Sequence, residues 1–162
     1  MSSLTIRAGT VNDVPVILSF IIGLAEYENL SHEVVATEAS LKESLFCDQP
    51  IAHVIIGEVN EVPSGFALYF YNYSSFLSRK GIYLEDLFVN SDRRGCGLGK
   101  ALLLHLAHKA YEEGCGRMEW AVLNWNKPSI EFYQSLGAKA QDGWTGYRLD
   151  HSDLSALQTR IK

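Results

Sequence analysis

Residues 81–103 read GIYLEDLFVNSDRRGCGLGKALL, and this stretch decides the fold prediction. Its first nine residues form a predicted strand, and its last residues begin a predicted helix. Between the two lie three glycines at alternate positions, Gly95, Gly97 and Gly99. A glycine-rich turn that leads into a helix exposes backbone N–H groups at the positive end of the helix dipole, where an anionic group binds. The stretch therefore predicts a phosphate-binding loop.

The composition favours a single domain without a nucleic-acid-binding surface. A chain of 162 residues is close to the usual size of one domain, so we expect one domain over residues 1–162. The 14 basic and 19 acidic residues give a net charge of −5. Because a nucleic-acid-binding domain normally carries a basic surface, DNA and RNA are not expected partners.

The cysteines, histidines and apolar runs argue against other classes of protein. Cys47, Cys96 and Cys115 are odd in number and form no CxxC pair, which favours a reduced intracellular protein over a disulfide scaffold. The five histidines show no metal-ligand spacing, so no metal is predicted. No apolar run reaches the roughly 18 residues of a membrane span, and the N-terminus lacks the layout of a secretory signal. We therefore expect a soluble cytoplasmic protein.

The remaining pattern predicts the order β-α-α-β-β-β-α-β-α-β. Helices are predicted to begin after a cap at Asn12 or Asp13, after the cap Thr37, near residue 98 and at Asn126. The turn between the second and third strands is predicted at residues 61–64. Such an order implies an α/β fold with a mixed sheet and helices on its faces. The predicted strands are residues 4–7, 52–59, 65–73, 81–89, 117–123 and 144–150.

Three known patterns compete for the glycine loop. The Walker A pattern fails because no Gly-Lys-Ser or Gly-Lys-Thr occurs. The dinucleotide-binding GxGxxG pattern fails because the three glycines are spaced GxGxG. Counted from Arg94, however, the segment reads R-x-x-G-x-G directly after a strand and directly before a helix. A plain glycine turn before a surface helix is the structural alternative.

This segment resembles the pyrophosphate loop, Q/R-x-x-G-x-G/A, of the GCN5-related N-acetyltransferase (GNAT) superfamily. In such a loop, backbone N–H groups hold the coenzyme A pyrophosphate, and a Cβ at the glycines would keep it away. The stretch LNWNKPSIEFYQSLGA (123–138) resembles a second superfamily element, N-x-x-[AS]-x-x-x-Y-x-x-x-G-[FA]. More narrowly, LAEYE (24–28), IYLEDLFV (82–89) and NWNKPSIEFY (124–133) look like the diamine acetyltransferase branch.

The resemblance implies a fold, a cosubstrate and a set of site residues. The implied GNAT fold is α/β, with a mixed, mostly antiparallel twisted sheet of six to seven strands and helices on both faces. Acetyl-CoA is the implied cosubstrate, and a homodimer is the implied assembly. The implied acceptor residues are Glu28, Glu85, Asp86 and Trp125. The implied coenzyme contacts are Leu87, Val89, Arg94, Gly95, Cys96, Gly97, Leu98, Gly99, Lys100, Asn126, Ser129 and Tyr133.

Acetyl transfer to an amine needs a base and an acid. An alkylammonium group has a pKa near 10.4 and must lose a proton before it attacks. The resemblance assigns the base to Glu85, acting directly or through a water. It assigns the acid to Tyr133, whose phenol could protonate the departing thiolate. The alternatives are a strand carboxylate paired with a nearby cation for Glu85 and a packed core aromatic for Tyr133.

Three residues near these carry narrower expectations. A regular strand would point Glu85 and Asp86 to opposite faces, so by resemblance we expect a β-bulge that re-aims them. Asn126 is expected to cap its helix, to bind the pantetheine amides, or both. Cys96 is not expected to act as a nucleophile, because no base is adjacent to it in the sequence.

The expected function is N-acetyl transfer from acetyl-CoA to the primary amine of a small molecule, by direct attack in a ternary complex. The alternatives are a coenzyme A sensor without turnover and a protein N-acetyltransferase. The loop at 71–81 lacks the acidic residue and the tryptophan of polyamine-acetylating members, and it adds Arg79 and Lys80. We therefore expect a short amine, a diamine or a thialysine-like amino acid rather than spermine, with Arg79 or Lys80 available to an acceptor carboxylate.

Overall fold

The computed structural model describes residues 3–160. They form two compact units, of which the first ends at Leu123 and the second begins at Asn124. The second unit contains α4 (Lys127–Ser135) and α5 (His151–Gln158). In the first unit the elements are β1 (Leu4–Ala8), α1 (Val14–Tyr27), α2 (Glu38–Leu45), β2 (His53–Val59), β3 (Val62–Ser74), β4 (Arg79–Val89), α3 (Leu98–Glu112) and β5 (Met118–Glu119).

The sheet is mixed and mostly antiparallel, which confirms the predicted fold class. Its five strands lie in the order β1-β2-β3-β4-β5. Three of the four pairings are antiparallel, and β4 pairs with β5 in parallel. The first four strands are therefore joined edge to edge in chain order, with α3 as the crossover to the fifth.

The strand count is lower than the six to seven predicted. Over residues 3–160, β5 has two residues rather than the seven of the predicted strand, and residues 144–150 form no strand. Alternation predicts a strand only where a partner strand is available, and Trp144 and Tyr147 are 82% and 95% exposed. Helix α5 was not predicted, although Asp150 and Asp153 form a capping box at its start.

Helices cover both faces of the sheet. Ile17 and Phe20 of α1 pack with Phe66 and Phe88, in the core that α1 and α2 share with the sheet. A Cβ on Gly57 of β2 would approach Leu98 and Leu102 of α3, so α3 covers the opposite face. Glycine at position 57 thus allows α3 to pack closely on the sheet.

One local prediction was wrong, and another was right only in part, since α1 begins directly after Asp13 as expected but the Asp13 side chain does not cap it. The turn between β2 and β3 is formed by Asn60 and Glu61, both with positive φ (52° and 66°), so it is earlier than the predicted 61–64. Pro63 lies within β3, beside a register shift at Gly57/Glu58 that accommodates it. No side-chain cap bond is made by Asp13 at the start of α1, because its carboxylate accepts hydrogen bonds from Thr10 instead.

Candidate active site

The glycine loop has the backbone that anion binding requires. Gly95 and Gly97 have φ values of 78° and 88°, in the left-handed region that favours glycine. No heavy atom lies within 4 Å of the position that a Cβ would take at either residue, so the loop is open for a close ligand. Gly97 is the N-cap of α3, and the first intrahelical bond runs from Ala101 N to Gly97 O at 2.9 Å. By helix geometry, the N–H groups of Leu98, Gly99 and Lys100 therefore point out of the N-terminal end of α3.

The other expected coenzyme residues of the first unit surround this loop. Leu87 and Val89, both half-buried, lie at the end of β4 opposite Ala67 and Gly65. Gly99 and Lys100 follow in the first turn of α3. The loop and its neighbours therefore fit the pyrophosphate group of coenzyme A.

Two side chains of the loop turn back onto the protein. The Cys96 thiol donates to the carbonyl oxygen of Arg93 at 2.9 Å. Arg94 Nε donates to the carbonyl oxygen of Val89 at 3.2 Å, and its guanidinium carbon lies 4.7 Å from the ring centroid of Tyr27. The contact between Arg94 and Tyr27 was not predicted, because no local sequence pattern links residues so far apart.

A β-bulge at Glu85 confirms the expected irregularity in β4. Asp86 is paired with Leu68, and Leu84 is paired with the next residue of β3, Tyr69. Glu85 is therefore the extra residue, opposite no residue of β3. As a result, Glu85 and Asp86 line the same cleft rather than opposite faces of the sheet.

This cleft is the candidate acceptor site. It has a volume of about 390 Å³. Three parts of the chain form it: the C-terminal half of α1, β4, and the segment that directly follows α1. Its carboxylates are Glu28, Glu33, Glu85 and Asp86. Its apolar walls are Ile21, Leu24, Ala25, Leu30, Val34, Val35 and Ala36. Glu28, Glu85 and Asp86, the expected acceptor carboxylates, thus lie in one cleft. Glu33 was one of four acidic residues, with Glu26, Glu28 and Glu38, that could attract a cation or form a solvated face, and the apolar wall was not predicted.

The end of α1 is shaped by a left-handed residue. Asn29 has a φ of 60°, Leu30 N donates to Ala25 O at 2.8 Å, and Asn29 N donates to Glu26 O at 3.2 Å. This pair of bonds is the Schellman pattern of a helix C-terminus. It reverses the chain directly after Glu28, so the helix end and the following segment face the same cleft.

Three of the four carboxylates of the cleft, Glu28, Glu85 and Asp86, form no ion pair in the described part of the chain, whereas Glu33 lies 3.3 Å from the Nε2 of His32. Burial, together with the negative charges of Glu85 and Glu28, raises the pKa of Asp86 to about 7. Burial also raises the pKa of Glu28. Within residues 3–160, no ion pair links Glu28, Glu85 or Asp86 to a cation. The cleft therefore favours a positively charged ligand.

The expected residues of the second unit lie on α4 or beside it. Asn126 is 5% exposed, and its side chain accepts a hydrogen bond from Ser129 N at 3.4 Å, so its predicted capping role is confirmed. Tyr133 is half-buried, with its ring 5.4 Å from that of Phe132. Trp125, just before α4, is half-exposed. The pantetheine and acid roles stay predictions.

Residues 71–81 are not the open loop that was expected. Most of them belong to the β3–β4 hairpin, with Ser74 opposite Arg79 and Tyr73 opposite Lys80. At about 3.3 Å per residue, Lys80 lies about 17 Å along β4 from Glu85. The Lys80 ammonium donates to Glu113 at 2.7 Å. Lys80 is thus engaged with Glu113, and the expectation that Arg79 or Lys80 meets an acceptor carboxylate stays a prediction.

Comparison with known proteins identifies the family. The model of the acetyltransferase (GNAT) family matches residues 21–138, which include the acceptor cleft, the glycine loop and α4. The chain belongs to the GNAT acetyltransferase family. It is an acetyltransferase enzyme, and GNAT acetyltransferases use acetyl-CoA as their cosubstrate.

Two named acetyltransferases align with nearly the whole of this GNAT chain. It is 35% identical to a thialysine N-epsilon-acetyltransferase of Sus scrofa, over 97% of this chain and 98% of the relative. It is 32% identical to an L-ornithine N5-acetyltransferase of Arabidopsis thaliana, over 94% of this chain and 86% of that protein. Among solved structures, an integron cassette protein of V. cholerae matches with a TM-score of 0.80 and 28% identity, over 96% and 98% of the two chains.

Two further observations concern membranes and metals. Within residues 3–160, no helix combines the length and the apolar character needed to cross a membrane. In the same part of the chain, no three His, Cys, Asp or Glu side chains are grouped as metal ligands would be.

Proposed function

We propose that this GNAT enzyme transfers the acetyl group of acetyl-CoA to a primary amine of a small molecule. The observation that carries the proposal is the cleft lined by Glu28, Glu85 and Asp86, which form no ion pair with any cation of residues 3–160. An alkylammonium ion supplies the missing positive charge. The names of the relatives, which describe acetyl transfer to amines of amino acids, support the same class of acceptor.

On the donor side, the glycine loop holds the pyrophosphate of acetyl-CoA. The N–H groups at the start of α3 donate to it, and Gly95 and Gly97 keep the loop backbone free of side chains. Lys100, exposed in the first turn of α3, adds a positive charge. The end of β4, at Leu87 and Val89, lies beside the pantetheine arm.

On the acceptor side, Glu85 is the base. The bulge leaves it exposed in the cleft, so the carboxylate can take a proton from the ammonium directly or through a water. Asp86 and Glu28 hold the cation before this step, and its arrival favours their ionised forms. The neutral amine then attacks the thioester carbonyl in a ternary complex.

The leaving thiolate needs a proton, and we assign this role to Tyr133. A phenol has an ordinary pKa near 10, close to that of an alkyl thiol, so it can donate as negative charge develops on sulfur. Asn126 supports this assignment because its bond to Ser129 N fixes the start of the helix that carries Tyr133.

The acceptor is a short amine, a diamine or a thialysine-like amino acid. The carboxylates of the cleft lie together, so they serve one cationic centre. The β3–β4 hairpin carries Ser74, Ser75 and Phe76 in place of an acidic residue for a second, distant ammonium. A long polyamine such as spermine therefore gains little from its additional charges.

A homodimer is the proposed assembly of this single acetyltransferase domain. Large apolar side chains near the C-terminus are exposed in the single chain: Trp144, Tyr147, Leu149 and Leu154. Apolar groups of this size are usually covered, and a second copy would provide the cover. Sedimentation that shows only an 18.1 kDa species at working concentrations would contradict the dimer.

The test of the proposed function is acetylation of an amine library by the purified protein with acetyl-CoA, read by mass spectrometry. We expect an acetylated primary amine, and Tyr133→Phe should lower turnover by roughly 10²- to 10⁴-fold while acetyl-CoA still binds. Gly97→Val should abolish acetyl-CoA binding in calorimetry, because valine disfavours a positive φ. Acetyl-CoA binding with no product from any amine would favour the sensor, and acetylation of proteins alone would favour a protein acetyltransferase.

A further inference from the structure

The side chain of Arg94 connects the glycine loop to the acceptor cleft. Its guanidinium carbon lies 4.7 Å from the ring centroid of Tyr27 and 5.8 Å from that of Phe88. Its Nε is held by the carbonyl oxygen of Val89 at 3.2 Å. A flat guanidinium stacks on aromatic rings in this way, whereas an ammonium interacts as a point charge. The loop is thereby attached to the end of α1.

The end of α1 is also where the cleft begins. Tyr27 is the last residue of α1, and the next residue, Glu28, contributes its carboxylate to the cleft. The ring contact with Arg94 therefore supports the last turn of α1. The Schellman bonds attach Asn29 and Leu30 to Glu26 and Ala25 of this same turn, so the backbone on both sides of Glu28 depends on its position.

We propose that Arg94 is a positioning residue, which holds Tyr27 and so keeps Glu28 in place for the amine. This inference rests on the proposed function. It predicts that occupation of the loop by acetyl-CoA and binding of the amine are coupled in the wild-type enzyme, because Arg94 links the loop to the helix end that precedes Glu28. Such coupling is reciprocal: each ligand raises the affinity for the other by the same factor.

The test compares Arg94→Gln and Arg94→Lys with the matched control Arg93→Gln. Arg93 lies one residue earlier, and its Nε is 3.4 Å from Asp92 of the same turn, so the control removes the same charge without touching α1. At saturating acetyl-CoA, Arg94→Gln should raise the KM of the amine at least fivefold. Arg94→Lys should raise it as well, since it keeps the charge and loses the flat group. Arg93→Gln should change it less than twofold.

Substitutions of Tyr27 separate positioning from phosphate binding. Tyr27→Leu should raise the KM of the amine by a similar factor, while the Kd of acetyl-CoA, measured without the amine, changes less than twofold. Tyr27→Phe keeps the ring that contacts Arg94 and should raise the KM less than Tyr27→Leu does. Adding Tyr27→Leu to Arg94→Gln should cause no further rise. If Arg94→Gln raises only the Kd of acetyl-CoA, or if the two substitutions multiply, the positioning role is wrong.

Hydrogen exchange gives a readout that does not depend on turnover. The amides of Glu28, Asn29 and Leu30 should exchange faster in Arg94→Gln than in Arg93→Gln, because the helix end loses its support. Equal exchange in the two variants would overturn the inference. Absence of any acetylated amine with the wild-type enzyme would instead overturn the proposed function, and the exchange experiment would still decide the role of Arg94.

Discussion

Two groups of carboxylates stand at the two ends of α1, and their surroundings are opposite. At the start, Asp13 accepts two hydrogen bonds from the Arg7 guanidinium, each at 2.8 Å, and Glu58 accepts one from Arg7 Nε at 2.7 Å. At the other end, Glu28 shares the cleft with Glu85 and Asp86, and no cation within residues 3–160 forms an ion pair with them. The charges of the first group are paired with Arg7, whereas those of the second group have no paired cation in the described chain.

The pKa values express this difference. Hydrogen bonds from Arg7 lower the pKa of Asp13 to about 2, against the opposing effect of its burial. Burial and two neighbouring carboxylates raise the pKa of Asp86 to about 7. A lowered pKa means that ionised Asp13 stabilises the folded state, whereas a raised pKa means that ionised Asp86 destabilises it. Carboxylates that lower stability and lie together in a cleft indicate a functional site rather than a structural one.

The largest expected effect is the loss of the base. Glu85→Gln should lower kcat/KM by roughly 10²- to 10⁴-fold, because the amide cannot accept the proton of the ammonium. Stability should change little, because the Glu85 side chain is exposed. Steady-state kinetics and thermal unfolding would measure both quantities. A wild-type kcat/KM in Glu85→Gln would show that this carboxylate is not the base. It would also contradict the functional role that the comparison assigns to the cleft.

The paired end should show the larger effect on stability. Asp13→Asn should lower the free energy of unfolding by about 2 kcal/mol at pH 7, because the native pKa is about 2 and the unfolded pKa is about 3.9. The contribution is fully present above pH 4 and is lost as the pH falls towards 2. Urea unfolding of wild type and variant at several pH values would measure it. A difference that does not shrink on acidification would assign the effect to something other than charge.

The cleft should show the opposite sign. Asp86 has a native pKa of about 7, above its unfolded value of about 3.9, so its ionisation costs stability as the pH rises from 4 to 7. Full conversion of this difference gives about 4 kcal/mol, and solvent in the open cleft screens much of it. Asp86→Asn should therefore raise the free energy of unfolding by about 1 to 2 kcal/mol at pH 8, with no gain at pH 4. The same variant should raise the KM of the amine. A destabilised variant at pH 8 would mean that Asp86 has a cationic partner in the folded protein.

The smallest expected effect distinguishes the two carboxylates around Arg7. Glu58→Gln should cost less than about 1 kcal/mol, because Arg7 retains both bonds to Asp13 and is itself partly exposed. Denaturant unfolding of Glu58→Gln beside Asp13→Asn would test this ranking. Equal losses in the two variants would show that Arg7 needs both partners and that the cluster acts as one unit.

Local chemistry explains what could be predicted from the sequence. Gly95 and Gly97 require a special backbone at fixed spacing, so the loop was recognisable, and its place before a helix predicted its ligand. The bulge at Glu85 was expected because of a resemblance rather than from the strand itself. Helix periodicity predicted α1 and α3.

Contacts between distant segments could not be predicted. Arg94 stacks on Tyr27, and Lys80 bonds to Glu113, only because the fold brings separate parts of the chain together. Alternating residues at 144–150 resembled a strand, yet a strand needs a neighbour, and none pairs with it in the described chain. The sequence left open whether Glu33 attracts a cation or belongs to a solvated acidic face, and only the turn after α1 places it at the cleft.

The bulge in β4 has a consequence for the chain as a whole. Leu84 pairs with Tyr69 and Asp86 with Leu68, so the residues on either side of Glu85 occupy consecutive rungs of the ladder. A chain that lacked residue 85 would keep every one of these rungs, and Leu84 and Phe88 would remain on their own sides of the sheet. Residue 85 therefore takes no part in the pairing with β3, and the side chain at this position can change without altering the register of the sheet.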